Sequence, residues 1–194
     1  LLARVLEGSA APSERDAKML AQLKAWNAAF ASRLDADKDG KIDHPGAAIM
    51  DAAWNGISDA VMGPVLGPQL DQMAAFNDRF REPGREGVTS YQGYGWFGYI
   101  DKDLRTLLGD TVQGKFSRTY CGNGDLASCR PSLWSALYAS GNTLRDQQGT
   151  DDPSAWRESC THERGSSWPR TRGLISAAPR PASHQQWHSL SRQQ

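Results

Sequence analysis

Apolar positions recur at helical spacing through most of this chain and then stop. Met19, Leu23, Trp26 and Phe30 fall on one face of a predicted helix over 13–34, started by Pro12 and the Ser13-x-x-Asp16 signal. A second helix follows an Asp-rich stretch, with Pro45 in its first turn and Met50, Trp54, Ile57 and Val61 on one side; Gly63-Pro64 is read as its end. Leu70, Met73, Phe76 and Phe80 predict a third over 68–80, before a polar, Gly-rich loop to residue 95. A fourth is expected over 96–108, carrying Leu104, Leu107 and Leu108 and stopped by Gly109. Residues 116–120 suit a short strand. Leu133, Trp134, Leu137 and Tyr138 mark a fifth helix over 126–140, closed by Gly141, and Asp152-Pro153 opens a short last helix reaching Trp156.

After Arg164 the pattern breaks. Residues 165–194 contain Arg but no acid, with Ser, Pro and Gly breakers and only scattered aliphatics. Residues 1–164 are therefore expected to form one helix-rich domain, and 165–194 an irregular basic tail, either disordered or not in the native reading frame.

Charge narrows the partners. Across 194 residues, 22 basic side chains balance 22 acidic ones, and no basic run is interleaved with aromatics, so a nucleic-acid partner is not expected. No apolar run is long enough to cross a bilayer, and no membrane partner is expected. The stretch Leu1 to Leu6 is too short for a signal peptide, and the absence of an initial Met suggests that the true N-terminus is missing. Cys121 and Cys129 flank Gly122-Asn123-Gly124 and read either as a local disulfide or as two partly buried thiols. A bridge would imply a secreted or periplasmic location. Nothing near Cys160 marks it as a nucleophile.

The densest chemistry lies in Asp35-Ala36-Asp37-Lys38-Asp39-Gly40-Lys41-Ile42-Asp43. Alternating carboxylates followed by Gly are how an EF-hand loop opens, because several hard oxygen ligands must converge on one cation around a sharp turn. Asp35, Asp37, Asp39 and Asp43 take loop positions 1, 3, 5 and 9, and Lys41 position 7, giving the candidate calcium set. Gly46 stands at position 12, where a bidentate Glu belongs. The competing reading is an Asp-rich turn that accepts backbone N–H groups and caps the next helix without metal.

Other candidates are thinner. His44 reads as a helix-entry residue, a supporting group beside the loop or an exposed side chain; His162, His184 and His188 lie in or beside the tail. Asp101 and Asp103 are read as helix-dipole partners rather than paired catalytic carboxylates. Tyr91, Tyr94, Trp96, Phe97 and Tyr99 either pack in a core or line an apolar pocket. No nucleophile elbow, phosphate loop or zinc-type set is present, and no organic cofactor is expected.

Taken in order, several segments resemble the penicillin acylase (penicillin amidase) family, especially its actinobacterial-type members. They are Asp35-Ala36-Asp37-Lys38-Asp39-Gly40 through Asp43-His44-Pro45-Gly46 with Ala48-Ile49-Met50-Asp51-Ala52; Tyr99-Ile100-Asp101-Lys102-Asp103-Leu104-Arg105; and Tyr120-Cys121-Gly122 with Gly124-Asp125-Leu126 and Cys129-Arg130. The resemblance runs to about Arg157. It implies an N-terminal-nucleophile amide hydrolase: a self-cleaving precursor whose new N-terminal Ser attacks an amide, with its own α-amine as base and an oxyanion hole around the intermediate. Implied substrates are small amides with apolar acyl groups, such as penicillins, acyl-homoserine lactones and lipopeptides. The implied fold is an αββα sandwich, of which this chain resembles the helix-rich C-terminal part of the large chain, α+β overall but mainly α here.

The implied partners are the upstream large-chain segment and the small chain of the same hydrolase. The nucleophile has no counterpart, so no catalytic residue is carried over and the chain alone is expected to be inactive. The alternative from another class is a calcium-binding helical module centred on the EF-hand-like loop. A third is a structural or interaction domain.

Overall fold

The computed structural model describes residues 1–70, 97–115 and 117–159. Most of the third predicted helix, the loop to residue 95, Tyr91, Tyr94, Trp96, Phe116, Cys160 and the tail lie outside them. Within them the chain is mainly helical, in the order α1 (Leu2–Leu6), α2 (Glu14–Ala28), β1 (Lys41–Ile42), α3 (Pro45–Leu66), α4 (Phe97–Leu107), a 3-10 turn (Cys121–Gly124), α5 (Leu126–Gln148), a second 3-10 turn (Pro153–Ala155) and β2 (Glu158–Ser159). The two strands form one small antiparallel sheet, pairing Lys41 with Ser159 and Ile42 with Glu158. Residues 1–161 form one compact unit.

Helix α3 is the hub, packing most extensively on α5 and next on α2. Its buried face comprises Ala47, Ala48, Ile49, Ala53, Trp54, Ile57, Val61 and Met62. Met19, Leu23 and Trp26 from α2, and Leu133, Trp134, Leu137 and Leu144 from α5, complete the same core. Small residues set the closeness: a Cβ on Gly56 would lie 3.2 Å from Ala136 Cβ, so a glycine lets α3 and α5 approach.

Helix ends account for the largest departures from the sequence pattern. Helix α2 stops at Ala28, not residue 34, because Ala31 N–H bonds to Trp26 O at 2.9 Å and Phe30 N–H to Asn27 O at 3.1 Å. These are the paired bonds of a Schellman stop, with Phe30 at φ +56° where glycine is usual. Phe30, expected in the core, is swung out to 95 % exposure. Pro64 does not end α3, which continues to Leu66 and is capped by Gly67 at φ +50°. A proline so near a helix end removes one interior hydrogen bond without having to break a long ladder. Gly141 does not close α5; it is buried in the helix, where a Cβ would stand 2.8 Å from Met19 Sδ, and the end comes at Gly149 with φ +70°. Residues 117–120 form no strand.

Candidate metal centre

The Asp-rich loop is built by its own side chains. Asp35 Oδ1 accepts from Asp39 N–H at 3.0 Å and Oδ2 from Gly40 N–H at 2.9 Å, drawing the chain back over itself. Asp37 Oδ1 accepts from Asp39 N–H at 3.2 Å, and Asp39 Oδ1 from Lys41 N–H at 2.8 Å. Such Asx-type turns need left-handed residues between them, supplied by Gly40 at φ +83° and Lys38 at φ +62°. Burial pushes the Asp35 carboxyl up, but the Gly40 and Asp39 N–H groups with the Asp37 side chain outweigh it and hold Asp35 below the usual carboxylate range.

One carboxylate oxygen from each of Asp35, Asp37 and Asp39 lies within 4.8 Å of the others. An all-oxygen, anionic set of this kind suits a hard divalent cation such as calcium. The other two sequence candidates are placed differently. Asp43 is outside the trio: its Oδ2 accepts from Ala36 N–H at 3.0 Å and its N–H bonds to Leu34 O at 2.9 Å, closing the loop's neck. Lys41 lies in β1 with its side chain exposed.

Position 12 has a steric explanation. A Cβ on Gly46 would lie 2.3 Å from Trp26 Cβ, so the α2–α3 contact occupies the space that a ligating Glu would need. His44 caps α3, its Nδ1 accepting from Gly46 N–H at 3.0 Å. Burial, reinforced by the positive charge of Arg157, holds the His44 imidazole below its usual range. Arg33 pairs with Asp51 and lies 6.0 Å from the Trp26 ring, while Trp26 Nε1 donates to Ser32 O at 2.7 Å. The loop is thus fastened to both flanking helices.

A second constellation differs from the sequence expectation. Asp103 is not a helix-dipole partner but a buried clamp, accepting from Tyr120 N–H at 2.6 Å and Cys121 N–H at 3.0 Å. Burial pushes its carboxyl up, against the lowering pull of those two N–H groups. Asp101 instead lies 3.8 Å from Arg105 on the outer side of α4. The signal was available: Asp103 follows Ile100 by three and precedes Leu107 by four, so it belongs to the apolar stripe. Cys121 and Cys129 are joined by a disulfide, with Cα atoms 5.0 Å apart. Arg130, next to Cys129, donates to Val5 O at 2.7 Å and Gly8 O at 3.4 Å.

Of the aromatic cluster, Phe97 stacks on Trp54 at 5.9 Å yet remains about half exposed, as does Tyr99. An open groove of about 680 Å³ runs beside Pro12, Arg130, Pro131, Trp134 and Tyr138. Among the described residues His44 is the one histidine, and it faces a helix cap rather than a serine. No helix among them is long and apolar enough to cross a membrane. No protein-family model matches the chain, and no curated protein matches it either.

Proposed function

We propose that this chain is scaffold from an N-terminal-nucleophile amide hydrolase of penicillin acylase type, acting on small amides with apolar acyl groups and exported to an oxidising compartment. The observation that supports it is a convergence. Three of the segments carrying the resemblance, Tyr99 to Arg105, Tyr120 to Gly122 and Cys129-Arg130, are joined to one another through Asp103 and the disulfide, while Asp35 to Ala52 lies apart from that joint. Motifs that build one joint are more specific than motifs scattered over a surface. The nucleophilic Ser belongs to a different segment of the hydrolase, so these residues position helices rather than reacting atoms.

The test joins this chain to the coding sequence that precedes it in its gene. The expected product is a self-cleaved pair with a new N-terminal Ser, found by N-terminal sequencing, that releases the acyl group of a chromogenic anilide. A gene with no such segment, or turnover by this chain alone, overturns the reading.

A second reading is carried by the convergence of Asp35, Asp37 and Asp39: the loop is a calcium clip holding α2 against α3. It is compatible with the first reading and is the functional centre if the chain is instead a cation-binding module. Calcium at a hundredfold excess over its dissociation constant is expected to stabilise the fold by about 2.7 kcal/mol. Melting with calcium and with chelator, for the native chain and for Asp37→Asn, checks it; identical curves in all four samples end the idea.

A further inference from the structure

The chain carries the dipeptide Asn-Gly at two described places, Asn55-Gly56 and Asn123-Gly124, and both asparagines are exposed. Asn-Gly is the pair in which a backbone nitrogen most easily reaches a side-chain amide, because glycine has no Cβ to obstruct the approach. Exposure does not separate the two sites. The backbone does.

Asn55 lies in the middle of α3, between the buried Trp54 and Ile57. Rotating the peptide after Asn55 means breaking a 22-residue helix at its contact with α5. Asn123 lies in a four-residue 3-10 turn whose bonds are of the poorer i to i+3 kind: Asn123 N–H to Tyr120 O at 3.0 Å and Asp125 N–H to Gly122 O at 3.1 Å. Gly122, Asn123 and Gly124 stand consecutively at φ +58°, +54° and +89°, a left-handed run outside any regular helix. The Asn123-Gly124 peptide itself uncovers no core side chain when it turns, because Asn123, Gly124 and Asp125 are all exposed while the anchors, Cys121 and Cys129, are buried.

We propose that Asn123 is a site of spontaneous deamidation and that Asn55 is protected from it. The Gly124 amide nitrogen attacks Asn123 Cγ; the new C–N bond closes a five-membered imide, and the Cγ–Nδ2 bond breaks. The amide nitrogen leaves as ammonia, taking the proton lost by Gly124. Water then opens the imide at either carbonyl, leaving aspartate or isoaspartate at position 123, with one water consumed and one ammonia released. The product places a new carboxylate two residues before Asp125, the α5 cap. The isoaspartate form also adds a methylene to the backbone within the ring closed by Cys121 and Cys129. The modification is thus a slow one-way mark on the joint between α4 and α5.

The intact 194-residue chain is incubated at mildly alkaline pH, native and in urea, and the peptides holding each asparagine are quantified by mass spectrometry. In urea both sites are expected to convert at similar rates. In the native chain Asn123 is expected to convert at least about tenfold faster than Asn55. Equal native rates, or a native Asn123 as inert as Asn55, overturn the proposal. Asn123→Gln, which would need a six-membered ring, is expected to lose the mass gain in that peptide; persistence of the gain there also overturns the proposal.

Discussion

Two residues carry more structural weight than their types suggest. Phe30 is the αL residue of a Schellman stop, at φ +56° and almost fully exposed. Its side chain gives little packing to offset the strain, so Phe30→Gly is expected to stabilise the chain by about 1 kcal/mol in urea denaturation. Asp103 is the converse case, a buried carboxylate whose loss strands two backbone donors. Asp103→Ala is expected to cost about 2–4 kcal/mol, since each unsatisfied buried N–H carries a desolvation penalty. A cost below about 0.5 kcal/mol in the same assay would show that the Tyr120 and Cys121 N–H groups have other partners. Both residues show where residue-level reading stops. Periodicity alone places Phe30 on the core face because it carries no signal for the Schellman stop, and the charge of Asp103 masks its place in the apolar stripe.

At the scale of elements, the existence of α2, α3, α4 and α5 was legible from apolar spacing, and the starts of α2 and α3 from Ser13 and Pro45; the Asp125 cap of α5 emerges from the structure. Ser13 accepts from Asp16 N–H, Asp125 from Ser128 N–H, and Pro45 opens α3. Ends were less legible, because Gly63, Pro64 and Gly141 look like stops while both glycines sit inside helices, for different reasons. Gly141 makes room for Met19, whereas Gly63 has no described atom within 4 Å of its missing Cβ. Gly63 also precedes Pro64, whose ring disfavours helical backbone in a preceding residue that carries a Cβ, so helix propensity and that clash oppose each other and Gly63→Ala is expected to change stability by less than about 0.5 kcal/mol. Gly46→Ala, which drives a methyl into Trp26, is expected to lose about 1–3 kcal/mol and to shift the Trp fluorescence. Equal losses for both variants would overturn this assignment of the two glycines.

For the whole molecule, long-range bonds among the described residues, such as Arg130 to Val5 O, tie the chain around a core of three helices, and one disulfide adds a local joint. The bridge spans eight positions, so its entropic effect on the unfolded chain is modest, and the double variant Cys121→Ser with Cys129→Ser is expected to lose about 2–3 kcal/mol. Chemical denaturation under oxidising conditions measures this; no change would mean that Asp103 alone holds the joint. The helical class, the four long helices and the alternation of carboxylates that makes a cation loop conceivable all follow from spacing within a few turns of chain. That Trp26 packs where a side chain at position 46 would begin, that Asp103 reaches Tyr120 and Cys121, and that α3 runs on past Pro64 were settled by packing between elements. Packing also leaves one of two identical Asn-Gly pairs locked in a helix and the other held by a short turn. Those outcomes depend on distances between segments far apart along the chain, and no local pattern encodes them.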